Sequence, residues 1–232
     1  MTEADGVQPA VGEPDDAAAV RSPSGDGGAV EAARRGRPAV AGPVPSAEPV
    51  LFTGQADLER WLAEHQDDRA EVWLVLAKKG APLTTVTYDE ALEVALRYGW
   101  IDGQARGRDE HTMLRRFTPR RPRSAWSARN RRLAEELIAA GRMEPRGLAE
   151  VERARADGRW DRAYAGPATA EPHPDLLAAL DANPQAKAFY ATLTSQNRYA
   201  IYYRVQQAVR PETRARRIAA VVDMLARGET FH

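Results

Sequence analysis

The sequence contains no cysteine and very little lysine. Without cysteine, these 232 residues hold no disulfide, no thiolate metal ligand and no cysteine nucleophile. The 33 basic residues comprise 30 Arg and 3 Lys, and 33 acidic residues balance them, so the formal net charge is zero. This balance excludes a uniformly basic nucleic-acid packer and an acidic chain that is disordered throughout.

A long apolar run is also missing. No window approaches the roughly 18 apolar residues that a membrane-spanning helix needs. Glu3, Asp5 and Glu13 occupy the place where a secretory signal has basic residues followed by an apolar stretch. We therefore expect a cytoplasmic protein with no membrane span.

The first 49 residues differ in composition from the rest of the chain. They hold 7 Gly, 7 Pro and no aromatic residue, and such a segment cannot bury enough apolar surface to offset the entropy of ordering it. Residues 1–49 are therefore predicted to be a disordered tail. The tail has 8 acidic and 4 basic residues, a net charge of −4, and the remainder has 25 acidic and 29 basic residues, a net charge of +4.

Hydrophobic periodicity and turn residues predict the elements of the folded part. Residues 87–90 form a helix capping box, Gly99 is a typical helix terminus, and Pro119 ends a strand because it cannot donate a ladder hydrogen bond. The predicted strands are 71–77, 100–104 and 112–118, with helices over 55–67, from 88 and from 128. The predicted fold class is α+β, a small three-stranded, mostly antiparallel sheet packed with helices. We expect this part over 50–165, and a helical C-terminal part over 175–232 packed on it as one compact unit.

Ten arginines fall between residues 104 and 132, against only Asp109 and Glu110. The loop before Ser127 leads into a helix, and the free amides and dipole of a helix start favour an anion. Arginine adds forked donors for phosphate or carboxylate. The candidate anion-binding residues are Arg116, Arg120, Arg121, Arg123, Ser124 and Ser127. The alternative is a solvated charged face that reflects the general preference of this chain for arginine.

A second group of residues is a candidate pocket. Asp102, inside a predicted strand, is either a buried general base or the partner of an arginine such as Arg120 or Arg121. Tyr199 shares a helical face with Tyr202, and tyrosines in such a pattern are more often core residues than ligand contacts. The candidate pocket residues are Trp100, Asp102, Gln104, Trp126, Arg198 and Tyr199.

Recognisable catalytic and cofactor motifs are absent from the sequence. The histidines at 65, 111, 173 and 232 have no metal-binding spacing, and no Walker loop, dinucleotide fingerprint or Gly-x-Ser-x-Gly motif occurs. We predict no metal and no cofactor. No nucleic-acid-binding motif occurs either, although Phe117 and Trp126 among the arginines keep weak nucleic-acid binding as an alternative.

Seven blocks of the sequence, taken in order, are specific enough to carry a resemblance. They are residues 71–79, 87–92, 98–104, 116–127, 157–164, 195–200 and 212–218. Over about residues 50–229 the sequence resembles the bacterial family labelled bacteriocin-protection, YdeI/OmpD-associated (OmdA). The resemblance implies a small α+β cytosolic protein and transfers no catalytic residue to these positions.

The leading hypothesis is a stress or protection protein that binds an anionic ligand or a protein partner at the arginine-rich loop and helix start. The main alternative is an enzyme that uses Asp102 or Tyr199 beside the same arginines. The enzyme hypothesis predicts a closed pocket that joins residues 100–104 to the arginine loop, and an Asp102 held in a structural ion pair would count against it. The oligomeric state is left open.

Overall fold

The structure, a computed structural model, describes residues 48–231. The predicted tail therefore lies outside the described residues except for its last two positions. From Val50 onward the chain belongs to the folded part. The Val50 amide donates to the Trp73 carbonyl (2.8 Å), and the Val75 amide donates to the Val50 carbonyl (2.9 Å).

Three antiparallel strands form one sheet in the order β1-β3-β2. They are β1 (Val72–Ala77), β2 (Trp100–Gly107) and β3 (Thr112–Pro119). The predicted fold class and the three strands are confirmed. Strand β2 runs three residues further than predicted, because a bulge between Asp102 and Ala105 lets it keep pairing with β3.

Two helices pack on one face of the sheet. They are α1 (Gln55–His65) and α2 (Tyr88–Arg97). The capping box at the start of α2 is confirmed, since the Thr87 side chain accepts from the Glu90 amide and the Glu90 carboxylate accepts from the Thr87 amide. Gly99 follows α2 with φ 72°, a left-handed conformation that returns the chain directly into β2.

The next two helices pack against the far side of α2. They are α3 (Ala128–Ala139), capped by the Ser127 side chain, and α4 (Pro145–Ala156). Trp126 and Trp160 join their apolar faces to those of Leu92 and Leu96 in a buried cluster. Helices α2 and α4 are close together because Gly147 has no side chain; a Cβ there would lie 2.2 Å from the Arg97 carbonyl oxygen.

Four helices make up the C-terminal part and share a core of their own. They are α5 (Pro174–Asp181), α6 (Pro184–Thr192), α7 (Ser195–Gln206) and α8 (Pro211–Ala226), and Pro211 is the predicted first-turn proline. Tyrosines of α7 connect them to the sheet-containing part. The Tyr199 hydroxyl donates to the Ala165 carbonyl (3.1 Å), and the Tyr202 hydroxyl accepts from the Ala165 amide (2.9 Å). The division at 50–165 and 175–232 stays a prediction.

Candidate functional site

The ten arginines between residues 104 and 132 do not all converge on one cleft. Six of them form ion pairs with carboxylates of the described residues. The pairs are Arg108–Asp109, Arg115–Asp102, Arg116–Glu71, Arg129–Asp89, Arg131–Glu135 and Arg132–Glu136. Most of the cluster is therefore explained by surface and structural pairing.

Arg120 is the exception, because it is buried and has no carboxylate partner among residues 48–231. It directly follows β3, where its amide donates to the Gly99 carbonyl (2.9 Å). Only 6% of the residue is exposed. The guanidinium carbon lies 3.5 Å from the centre of the Trp126 ring, which is a close cation–π contact.

One edge of the Arg120 guanidinium has no hydrogen-bond acceptor. Nη1 contacts the Ala125 carbonyl at 3.4 Å, whereas Nε and Nη2 are buried without a partner in the described part of the chain. These two nitrogens lie on the same edge of the planar group, and together they form the fork that carboxylate and phosphate bind in a bidentate manner. Burial lowers the pKa of Arg120 to about 9, so the group is positively charged at neutral pH.

A second arginine, Arg159, reaches the same loop. Its Nη1 donates to the Ser124 carbonyl (2.7 Å), next to the carbonyl that Arg120 contacts, and its Nε donates to both oxygens of Asp157 (2.7 and 2.8 Å). Nη2 of Arg159 is buried without an acceptor in residues 48–231, as are the indole N–H groups of Trp100 and Trp126. We call Arg120, Trp126 and Arg159 the Arg120 site.

Glu150 Oε2 and Gln104 Oε1 are among the buried acceptors of the described residues that have no donor. The other oxygen of Glu150 pairs with Arg153 (2.6 Å). Tyr164, Asp102 and Glu150 lie near enough to Arg120 to oppose the fall in the arginine pKa that burial causes. Asp102 and Glu150 are therefore the internal carboxylates that a ligand at the Arg120 site has to compete with.

Tyr164 connects the Arg120 site with the C-terminal helices. Its amide donates to the Trp126 carbonyl (2.9 Å), and its carbonyl accepts from the Ala128 amide (2.8 Å). Its ring meets the Tyr203 ring edge-on at 4.9 Å. Burial, then the neighbouring tyrosines and Asp102, raise the pKa of Tyr164, and Arg120 opposes the rise. The hydroxyl of Tyr164 is therefore protonated at neutral pH.

Asp102 lies near enough to Arg120 to stabilise its charge, but its hydrogen bonds go to other residues. Its Oδ2 accepts from Arg115 Nη2 (2.6 Å) and from the Tyr88 hydroxyl (2.9 Å), and both members of the ion pair are more than nine-tenths buried. Burial is the largest cause of a raised pKa of Tyr88, followed by the charge of Asp102. The carboxylate that sequence reasoning offered as a general base is thus engaged by Arg115, not by Arg120 or Arg121.

The helix start that was predicted to receive an anion already has internal acceptors for two of its amides. The Asn130 amide donates to Ser127 Oγ (3.1 Å), and the Ala128 amide donates to Tyr164. Ser124 Oγ accepts from the Arg121 amide (3.0 Å), and the side chains of Arg121 and Arg123 are exposed.

The structure brings together part of the predicted pocket. Trp126 lies against Arg120, and Tyr199 reaches this region through its neighbours Tyr164 and Tyr203. Trp100 belongs instead to the core cluster between the sheet and helices α1 and α2, where its ring meets that of Trp61 edge-on at 6.2 Å. Arg198 is outside this region, since it donates to the Ala191 carbonyl (2.7 Å). Gln104 lies on β2, beyond Asp102.

Sequence reasoning missed Arg159, Tyr164 and Glu150. Arg159 and Tyr164 belong to the block 157–164 that carries the family resemblance, but the block has no recognisable site motif. Their role depends on the fold, which brings them against a loop some 35 residues earlier in the chain. The only signal in the sequence was the proximity of Arg159 to Trp160 and Tyr164.

Three further features concern membrane-spanning helices, metal-binding groups and surface clefts. Within residues 48–231 no helix is long and apolar enough to cross a membrane. The same residues contain no group of three or more His, Cys, Asp or Glu side chains that could hold a metal ion. Two surface clefts lie elsewhere, one of about 280 Å³ between α2 and α3 and one of about 460 Å³ between α5 and α8.

The fold and the site define a small α+β protein with a helical C-terminal part and a buried, donor-rich arginine site between the two. Comparison with family models identifies two regions of the chain. Residues 169–228 match the family described as Bacteriocin-protection, YdeI or OmpD-Associated, which confirms the resemblance over these helices. Residues 50–150 match a domain of unknown function, DUF8412.

The Arg120 site draws on residues in and between these two matches. Arg120 and Trp126 lie in the first matched region, Tyr199 lies in the second, and Arg159 and Tyr164 lie between them. No curated protein and no solved structure matches the chain.

Proposed function

We propose that this protein binds a small anion at the Arg120 site. The observation that carries the proposal is the Nε and Nη2 edge of Arg120, which is buried, positively charged and without an acceptor in the described residues. A buried donor left without a partner costs about 1–3 kcal/mol, and more when it is charged. An anion in the fork would remove this penalty through two parallel charge-assisted hydrogen bonds.

The other buried donors strengthen the proposal. Arg159 Nη2 and the indole N–H of Trp126 lack acceptors in the same part of the molecule. Two guanidinium groups near each other repel, and Arg159 indeed helps to lower the pKa of Arg120. A negative charge placed between donors of this kind would relieve the repulsion and satisfy the donors together.

Arg120 is buried, and we propose that a ligand reaches it when the adjoining loop moves. Residues 121–125 follow Arg120, and the segment 121–123 is exposed. Contacts from Arg120 and Arg159 to the carbonyls of Ala125 and Ser124 hold the loop in place. Anion binding should therefore change the hydrogen-exchange rates of amides in this loop.

Anion binding can be tested by calorimetry and thermal shift on the full chain with acetate, nitrate, sulfate and phosphate. Arg120→Met removes the fork while keeping an unbranched apolar stem, and Arg132→Met is the matched control because Arg132 is exposed on α3. We expect at least one anion to bind the wild type and the control, and none to bind R120M. Equal binding by R120M, or no binding by the wild type, would contradict the proposal.

Glu150 provides the strongest competing explanation, namely that the site is internally neutralised. The variant Glu150→Gln removes this charge without changing the size of the side chain. If Glu150 only opposes the ligand, E150Q binds the anion more tightly than the wild type. If Arg120 serves Glu150 alone, E150Q destabilises the fold and no anion binds to either protein.

The observed pairings do not favour the two other functions. An enzyme that uses Asp102 as a base would have to break its contacts with Arg115 and Tyr88. A nucleic-acid binder needs a continuous basic face, whereas six of the ten arginines are in ion pairs. A nucleic-acid binder would lose affinity steeply as the salt concentration rises, and a flat salt response would exclude this function.

A stress or protection role and a cytoplasmic location are further parts of the proposal. The family that matches residues 169–228 is described as bacteriocin-protection, which supports a protection assay as the cellular test. Bacteria sensitive to a bacteriocin would express the wild type, R120M or R132M. We expect protection from the wild type and R132M but not from R120M.

A further inference from the structure

Arg120 carries a positive charge and forms no ion pair with a carboxylate of the described residues, although Asp102 and Glu150 lie near enough to stabilise its charge. These carboxylates have ion-pair partners of their own. Arg159 pairs with Asp157 (2.7 Å), Arg153 pairs with Glu150 (2.6 Å) and Arg115 pairs with Asp102. Each of these pairs has no net charge, so Arg120 and the three pairs together carry a formal charge of +1.

The sign and size of this charge select the ligand. A monoanion neutralises the region, whereas a dianion leaves an uncompensated negative charge away from water, where a lone charge is strongly unfavourable. The charge therefore favours a ligand with one negative charge over sulfate or doubly ionised phosphate.

The geometry of the N–H donors at the Arg120 site narrows the class of ligand further. Nε and Nη2 of Arg120 direct two N–H groups in parallel within one plane, and the two oxygens of a carboxylate match this spacing. A carboxylate has about four lone-pair sites, so two remain for donors such as Arg159 Nη2 and the Trp126 indole N–H. Chloride has the right charge but offers no pair of oxygens to the fork.

We infer that the anion bound at the Arg120 site is a small monocarboxylate. This inference rests on the proposed function and deepens it, because it names the chemical class of the ligand. The aromatic surroundings agree with it. Trp126 and Tyr164 contribute ring surface to the region, and ring surface suits the apolar remainder of an organic acid better than a fully hydrated inorganic ion.

The first test compares probes of defined charge and shape on the full chain at pH 7 and constant ionic strength. The probes are acetate and nitrate (planar monoanions), chloride (a spherical monoanion), sulfate and phosphate, and acetamide as the neutral analogue of acetate. We expect acetate and nitrate to bind at least about tenfold more tightly than chloride, sulfate or phosphate, and acetamide not to bind.

The results separate the inference from the proposed function. Tighter binding of sulfate or phosphate than of acetate would overturn the monocarboxylate and leave anion binding at Arg120 standing. Equal affinity for chloride and acetate would likewise overturn the monocarboxylate, because the two oxygens of acetate would then gain nothing from the paired donors of Arg120. Failure of every anion to bind would overturn the proposed function itself.

The second test changes the charge of the site without touching Arg120. Asp157→Asn removes the partner of Arg159 and raises the uncompensated charge from +1 to +2. We expect D157N to shift the ratio of sulfate to acetate affinity by at least about tenfold toward sulfate. Glu136→Gln is the matched control, because it makes the same change of charge beside Arg132 on the exposed face of α3. A ratio that changes equally in both variants, or in neither, would contradict the charge argument.

Arginine geometry is tested by Arg120→Lys, which keeps the charge and removes the fork. We expect R120K to bind chloride and acetate with similar affinity, with the selectivity for planar monoanions lost. If R120K keeps the selectivity for planar monoanions, the paired Nε and Nη2 donors of Arg120 do not determine which anion binds. This result would overturn the inference.

Discussion

The guanidinium carbon of Arg120 lies 3.5 Å from the centre of the Trp126 ring, and no carboxylate in residues 48–231 forms an ion pair with this arginine. A desolvated cation–π contact stabilises by about 2 kcal/mol. The contact with the Trp126 ring stabilises the positive charge of Arg120 in part, but the ring provides no hydrogen-bond acceptor for Nε and Nη2. Arg120 is thus held in place by Trp126 while its forked edge stays available.

This arrangement predicts that Arg120 destabilises the free protein. Arg120→Met removes two unsatisfied donors, each unfavourable by about 1–3 kcal/mol, and loses about 2 kcal/mol of cation–π attraction. We expect a net gain of about 1 kcal/mol, which raises the thermal midpoint by about 2–4 °C for a chain of this size. Differential scanning calorimetry without added anion measures the change.

Arg132→Met is the control for this substitution and should change the unfolding free energy by less than about 0.5 kcal/mol. A fall in the midpoint of R120M by several degrees would assign Arg120 a structural role. The gain in R120M should also disappear when a saturating ligand stabilises the wild type.

The lowered pKa of Arg120 predicts how this difference depends on pH. The folded state holds the proton less tightly than the unfolded state, because burial lowers the pKa from 12.5 to about 9. The destabilising contribution of the Arg120 charge is therefore fully present below pH 9. As the pH rises above 9, the unfolding free energy of the wild type increases relative to that of R120M.

Comparison of the wild type with R120M isolates this effect from the tyrosines. Burial raises the pKa of Tyr199 to about 12 and also raises that of Tyr88, so both proteins lose stability above pH 10 as the unfolded tyrosines ionise. Denaturant unfolding at pH 7, 9 and 10 should show that the difference in unfolding free energy between R120M and the wild type decreases as the pH rises. Anion affinity of the wild type should fall over the same range, and a constant gap with constant affinity would contradict the assignment.

The local elements could be predicted from the sequence because their signals are local. The capping box at Thr87, the left-handed Gly99 and the cap at Ser127 each involve residues only a few positions apart, and all three appear in the structure. The site could be predicted only in part. Arg120 and Trp126 were within one arginine-rich block, but their selection from ten arginines depends on which carboxylates the fold places beside the others.

The long-range partners could not be predicted for the same reason. Asp102 meets Arg115 because the bulge in β2 sets the register with β3, and a one-residue difference would have turned the side chain to the other face. Arg159 joins the site across 35 residues of chain through a carbonyl oxygen, a group that leaves no mark in the sequence.

The close packing of α2 and α4 predicts a strongly destabilising substitution at Gly147. An alanine Cβ would lie 2.2 Å from the Arg97 carbonyl and 2.8 Å from the Leu96 carbonyl, and both contacts are with backbone that cannot rotate away. We expect Gly147→Ala to lower the unfolding free energy by more than about 3 kcal/mol through overpacking. Gly107→Ala is the control, since its Cβ would meet nothing within 4 Å. Similar stability of the two variants in urea would show that the helices are further apart than described here.

The buried pair Asp102–Arg115 predicts a marked difference between single and double substitutions. Asp102→Asn leaves the Arg115 charge without its 2.6 Å carboxylate partner in the interior, and we expect a loss of about 3–5 kcal/mol of unfolding free energy. The double variant D102N/R115M removes the Arg115 charge as well and should recover at least half of that loss.

Tyr88→Phe, which removes only the hydroxyl that donates to Asp102, should lower the unfolding free energy by about 1 kcal/mol. Urea unfolding of the wild type, D102N, R115M and the double variant gives the coupling energy of the Asp102–Arg115 pair. A D102N variant that is as stable as the wild type would show that the aspartate does not hold this network together, and a catalytic role for it would then have to be considered again.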